Sequence, residues 1–413
     1  MDGSTTLRRR LGNRAPWLRR IYRVYWSARR ACLSTLSAAA APHLPREATY
    51  EGSGGTAWCV GFESRALSTA AFFCGEDVRA AHRGRVWRRR VPGRIGNVAR
   101  AGGLPIVRIL ELGRWPADDV RRAIVVPQLV AIHKDLPADS DALRAQLLTS
   151  TTREDFRRIR RANFSYRVTS DPALIREFYA RHYAPLIADR FPEDGRIAPV
   201  EDMLDKQERG GELVCADIDG AWVAGIFNVA GETSYALGAL GIRDADDAVR
   251  QKRVVAALIV RSLERAVELG HGRATLGQSL PFLGKGPVWF KAKWGGVITP
   301  APAVPDLHMF LDLRQAAVRR MLSASPIIHS ENDALVVTAW LEPGEKPAKD
   351  TARDAGRFPG ISRWYVLAEP QTLAEADAQL SANERIVPMS VTLGGDDPVW
   401  LGETLGSQGG GNV

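Results

Sequence analysis

Residues Leu276 to Gly296 read LGQSLPFLGKGPVWFKAKWGG. A strand-like end, LGQS, runs into three glycines and two prolines within eleven residues, then into an aromatic and basic run that stops at Gly295-Gly296. Glycine admits close backbone approach and sharp reversal, and Trp289, Phe290 and Trp294 supply the apolar surface that packs such a segment down. The pattern predicts an irregular segment that leaves a strand end, reverses at its glycines and is pinned by its aromatics.

Working outward, Asp246 to Leu269 predicts one long helix. Val255, Ile259, Leu263 and Val267 recur at four-residue spacing, Arg261, Glu264, Arg265 and Glu268 take the other side, and Gly270 ends it. Before it, GELVCADI, AWVAGIFNVA and TSYALGAL read as three antiparallel strands. Asp219-Gly220 joins the first two with the positive φ angles that a tight hairpin demands. Further upstream SYRVTSD alternates as a strand, and Asp171 with Pro172 opens a helix that runs to Arg190, followed by the shorter VEDMLDKQERGG. DALRAQLLTS and TREDFRRIRRAN have helical spacing with arginine on one side. The order is therefore strand, helix, helix, three antiparallel strands, long helix, strand, closing loop.

A chain of 413 residues exceeds what one core usually organises. The expected division is a basic tail over 1–45, a small α+β unit over 46–140, the main domain over 141–312 and an extension over 313–413 with a Gly-rich end. Net charge is +9, unevenly placed: residues 1–100 hold nineteen arginines, no lysine and six acids, a balance of +13. Between Arg8 and Arg30 the arginines are interleaved with Trp17, Ile21, Tyr22, Tyr25 and Trp26, a mixture suited to anionic lipid or nucleic-acid phosphates. A solvated tail is the plain alternative. The segment ACLSTLSAAAAP, Ala31 to Pro42, mimics a signal peptide but is short in its apolar part. No run reaches the ~18 to 20 apolar residues that a membrane span needs. Cys32, Cys59, Cys74 and Cys215 have no CxxC spacing and the histidines are scattered, so no metal site is expected and reduced, buried thiols favour the cytoplasm.

The element order, with the words YRVT, FYxxxYxPxxxxR (Phe178 to Arg190), LERAVELG, LGQS and FKAKWG, resembles the GNAT acyltransferase superfamily. Within it the chain is most similar to the branch of the Fem-type peptidoglycan aminoacyl transferases and the acetyltransferase-like domains of polysaccharide and cofactor biosynthesis clusters. The match covers roughly Pro127 to Asp312. The resemblance implies an α+β, GNAT-like fold with a mixed central sheet flanked by helices, and a first half that is either a degenerate GNAT-like unit or unrelated. It also implies an acyl donor, acyl-CoA such as acetyl-CoA, lying between splayed strands with its pyrophosphate on the amino end of the long helix.

Carried over by residue, the resemblance implies a phosphate cradle at Arg250, Gln251, Lys252, Arg253, Val255 and Ala256. Val254 stands where the family has glycine, and Asp244, Asp246 and Asp247 precede the helix. Many GNAT enzymes have a tyrosine proton donor four residues before the glycine of the closing motif; here that position is Lys291, which stands as the first catalytic candidate. For the base, His182 and Tyr235 are candidates beside Tyr179 and Tyr183. Tyr179, Tyr183 and Arg190 lie at spacings of four and seven on one helix and are expected on the acceptor side. Gln278 and Ser279, at the cleft end of a strand, and Trp289 complete the expected substrate site.

The expected activity is transfer of an acyl group from acyl-CoA to an amino or hydroxyl group of a small molecule or envelope precursor, by direct attack, since no Cys or Ser stands in a nucleophile setting. Two alternatives stay open. One is a Fem-type transferase using aminoacyl-tRNA, and the other a catalytically inactive scaffold that binds membrane or nucleic acid through the basic amino end. The expected location is cytoplasmic, free or peripheral at the inner face of the membrane.

Overall fold

The computed structural model describes residues 46–61, 66–74, 77–86, 90–108, 120–190, 197–284, 286–301, 306–343, 354–381, 383–394 and 397–409. The basic segment Arg8 to Arg30 and the signal-like Ala31 to Pro42 lie outside the described residues.

Seven strands form the sheet that carries the site. Across it they run Val297–Pro300, Val130–Asp135, Arg273–Ser279, Tyr235–Ile242, Ala221–Ala230, Gly211–Ile218 and Ser165–Thr169. Asp219 (φ 50°) and Gly220 (φ 77°) make the expected hairpin turn, so Ile218 pairs with Ala221. Every neighbour is antiparallel except one. Tyr235–Ile242 and Arg273–Ser279 run parallel and pair only as Tyr235 with Ala274 and Ala236 with Thr275. Beyond that point each strand is bulged. Register shifts between Ala236 and Ala239 on one side, where any side chain at Gly238 would overlap the Phe227 carbonyl. It shifts between Thr275 and Gln278 on the other, where Gly277 sits at φ 77°. A bulge re-aims a strand, so the sheet splits between these two strands. This is an α+β fold, with the expected mixed central sheet flanked by helices.

The long helix connects the two splayed strands along the chain, but not as one piece. Asp247–Gln251 and Val254–Glu268 are separate helices, divided by Arg253 in the left-handed conformation at φ 68°. Eleven of the fifteen residues of the second are buried, because it lies between the sheet and two further helices, Ser140–Leu147 and Arg153–Ala162. It ends as expected, with Gly270 at φ 79° and the His271 amide donating to the Ala266 carbonyl. On the opposite side, Pro172–Phe178 continues through a π-turn, Tyr179–Tyr183, into Ala184–Arg190.

A second sheet of ten strands joins residues that the sequence division kept apart. Leu307–Met309 pairs with both Gly103–Arg108 and Ile124–Val126, and Ile327–Glu331, Ala334–Trp340, Ile361–Ala368 and Ile386–Ser390 extend that sheet. The span 313–413 is thus no appendage but supplies four of the ten strands of a sheet begun by 46–126. The division at 140 also misplaces Val130–Asp135, which belongs to the seven-stranded sheet. Local periodicity carries no information on pairing across about two hundred residues. One apolar cluster, from Val130 and Leu263 through Ile298 to Ile328, Val337 and Trp364, links the sheets.

The closing segment takes part in that link. Pro281 to Leu283 is hydrogen-bonded on both sides to the second sheet: the Ile328 amide donates to the Pro281 carbonyl and the Leu283 amide to the Pro326 carbonyl, both at 2.8 Å. The part expected as loop then forms a short helix, Pro287–Lys293, with proline in its first turn. Gly295 at φ 78° turns the chain, and Gly296 lies so close to Ile132 that a Cβ would stand 2.5 Å from its Cγ2.

Candidate active site

Three sequence-predicted residues meet at the split. The bulge at Gly277 leaves Gln278 exposed and Ser279 buried, at 7% exposure. The helix Pro287–Lys293 brings Lys291 back over them, so that its Nζ donates to the Gln278 carbonyl at 2.9 Å and to the Ser279 Oγ at 3.1 Å. Two of the three ammonium protons are thereby engaged and one remains to donate. Desolvation pushes the Lys291 pKa down to about 8. The group is therefore mostly ammonium at neutral pH, with about a tenth as free amine, and can either hydrogen-bond a developing oxyanion or exchange a proton. Its ammonium lies on the Gly277 side of the cleft; a Cβ added at Gly277 would be 3.7 Å from Nζ and 4.0 Å from the Leu237 carbonyl oxygen of the facing strand. Half-buried Trp289 packs on the core from the same helix.

The two candidate bases sit elsewhere. Tyr235 is fully buried beneath the long helix, where its hydroxyl donates to Glu212 at 2.7 Å and accepts from Asn228 at 3.1 Å. Asn228 also donates to Ser262, and Arg265 holds Glu212 with two bonds of 3.1 Å. Burial, and then Glu212, push the Tyr235 pKa up. Its hydroxyl is committed on both sides, which makes it a strut between sheet and helix. His182 lies within the π-turn, fully buried and stacked on Trp222 at 4.3 Å. Burial drives its pKa down to about 4, leaving a neutral ring inside an aromatic cluster. Neither is brought to Lys291.

Tyr179 and Tyr183 pack with tilted rings at 5.9 Å, half-buried beside Phe178. Arg190, at the end of that helix, has its pKa lowered first by desolvation and then by Arg250, with Asp189 and Asp247 opposing. Arg190 therefore stands next to Arg250, which pairs with Asp247 at 2.7 Å and Asp189 at 3.8 Å.

The amino end of the long helix fits an anion better than its sequence suggests. Val254, in place of glycine, is fully buried, so its side chain points into the core. Val255 is half-buried and Ala256 buried behind it. The first turn has no acid and no side-chain cap, which leaves its N–H groups to an outside acceptor. The three aspartates belong to the preceding turn and are engaged there: Asp246 caps the Ala248 amide, Asp247 pairs with Arg250, and Asp244 lies 3.8 Å from Arg243. Gln251, Lys252 and Arg253 are exposed beside this end. Arg253 also pairs at 3.3 Å with Asp155, a carboxylate only 3% exposed that Lys293 of the closing helix holds as well. Asp155 thus ties the amino end of the long helix to the closing helix. Nothing in TREDFRRIRRAN singles it out from an ordinary first-turn acid.

No protein-family model matches the sequence, and the search of curated proteins found no match. Among solved structures, the chain is similar to the C-terminal domain of a putative lysylphosphatidylglycerol synthetase from Agrobacterium fabrum, at 14% identity and TM-score 0.30, covering 67% of this chain and 84% of that one. It is similar to FemX at 10% identity and TM-score 0.36, covering 44% and 61%. A GCN5-related N-acetyltransferase from Kribbella flavida matches at 14% identity and TM-score 0.24, covering 62% and 80%. Likeness at these scores carries nothing about activity.

Proposed function

We propose that the chain is a GNAT-type N-acyltransferase that moves an acyl group from acyl-CoA, acetyl-CoA being the simplest donor, to an amino or hydroxyl group of a small molecule or envelope precursor. The observation that carries this reading is the split of the sheet between bulged parallel strands, with the Lys291 ammonium fixed at its edge by Gln278 and Ser279. The donor supplies a thioester carbon open to direct attack. Lys252, Arg253 and the uncapped amides from Val254 would hold its phosphates, Lys291 would donate a hydrogen bond where negative charge develops, and Tyr179, Tyr183 and Arg190 would face the acceptor. Transfer from aminoacyl-tRNA is the second reading, favoured by the arginine excess of residues 1–100. Titration of the full chain with acetyl-CoA, longer acyl-CoAs and aminoacyl-tRNA separates them. A ligand at about a hundred times its dissociation constant adds roughly 2.7 kcal/mol and raises Tm. A shift with charged tRNA alone selects the second reading, and no shift with any donor leaves an inactive scaffold.

A further inference from the structure

The exposed side of the helices over the amino end of Val254–Glu268 is a surface of its own. Only two large apolar side chains are exposed among the described residues, Leu148 at 55% and Leu269 at 41%. Leu148 is not loosely displayed. It caps Ser140–Leu147 and opens a turn closed by Thr152, whose buried hydroxyl donates to the Leu147 carbonyl at 2.5 Å and accepts from the Thr149 amide at 2.9 Å. The next helix, Arg153–Ala162, starts directly after that turn. Arg153, Arg157, Arg158, Arg160 and Arg161 are all exposed on it. Arg157 and Arg158 share Glu154, while Arg153, Arg160 and Arg161 have no acidic partner among the described residues. Asp155 does not offset this charge, being buried and held by Arg253 and Lys293.

We propose that this turn and helix form a docking surface for an anionic lipid bilayer, with Leu148 entering the interface and the arginines lying on the headgroup phosphates. The exposed side of the helix carries five arginines against one glutamate and no large apolar residue, so it suits the headgroup layer and not the hydrocarbon. A rigidly held exposed leucine gains nothing from a phosphate backbone in water, but gains the transfer of its side chain at a bilayer. A single-stranded nucleic acid would be met by stacking aromatics, and among the described residues no aromatic is one of the exposed large side chains. The surface is separate from the donor question, and lies in a part of the chain distinct from the basic segment Arg8 to Arg30.

The test is co-sedimentation of the full-length protein with phosphatidylcholine vesicles, with and without a third of phosphatidylglycerol, at low and high salt. Binding is expected only with phosphatidylglycerol. It should fall about a hundredfold in the triple variant Arg153→Ser, Arg160→Ser, Arg161→Ser, and more than about tenfold in Leu148→Asp. An environment-sensitive fluorophore on a Leu148→Cys, Cys32→Ser protein should shift to the blue on those vesicles. Because the side chains at 148, 153, 160 and 161 are exposed, circular dichroism of the variants altered there should match the wild type. Absence of wild-type binding, equal binding by both variants, an unshifted fluorophore, or arginine-dependent binding of RNA without vesicle binding would overturn the proposal.

Discussion

Replacing Lys291 by Met tests the centre of the active-site reading. The substitution keeps a long apolar stem and removes two hydrogen bonds, to the Gln278 carbonyl and Ser279 Oγ. Both acceptors sit at a half-open cleft, so the loss to folding is about 1–2 kcal/mol. Loss of one preorganised donor to a developing oxyanion costs about 10² to 10³ in turnover, or ≈2.7–4 kcal/mol. Turnover should therefore collapse while the fold survives. Two pH measurements accompany it. In the wild type, activity that needs the ammonium should fall as pH rises through about 8, and Lys291→Arg, whose guanidinium does not titrate there, should lose that inflection. For stability, the folded-state pKa lies below the ordinary lysine value of 10.5, so the unfolded chain binds more protons between about pH 8 and 10.5 and wild-type stability rises over that window relative to Lys291→Met. Steady-state kinetics and urea melts read both. Wild-type turnover in Lys291→Met, with an unchanged pH profile, would refute the reasoning.

Tyr235→Phe removes a hydroxyl engaged by Glu212 and Asn228; it should cost about 1–3 kcal/mol in a urea melt with little change in turnover per folded molecule, and a selective loss of turnover would restore Tyr235 as a catalytic group. Asp155→Ala leaves Lys293 and Arg253 without their buried partner and should destabilise by roughly 3 kcal/mol, while loosening donor binding and the closing helix together; an unchanged donor dissociation constant would separate the two. Gly277→Ala places a Cβ at φ 77°, at a cost of about 1–2 kcal/mol, and should lower turnover by shifting the strand end that holds Lys291; crystallography or turnover equal to the wild type would show the bulge to be passive.

The sequence alone determined those features that local chemistry enforces. Asp219-Gly220 admits little but a tight turn, Asp171-Pro172 little but a helix start, and the apolar stripe from Ile259 to Val267 had to be buried along one helix. Lys291 was singled out only by the resemblance of FKAKWG to a closing motif, and its contact with the LGQS strand end is seen only in the fold. Tertiary structure decided what depended on distant partners. Strand Leu307–Met309 finds its neighbours at 103–108 and 124–126, a choice of pairing that no periodicity encodes, and so the supposed extension completes a sheet. Tyr235 and His182 have the residue types of catalysts, but a hydroxyl between Glu212 and Asn228, and an imidazole against Trp222, are set by what packs around them. The helix that reads as continuous divides at Arg253, a left-handed residue whose guanidinium meets a buried carboxylate far upstream, Asp155.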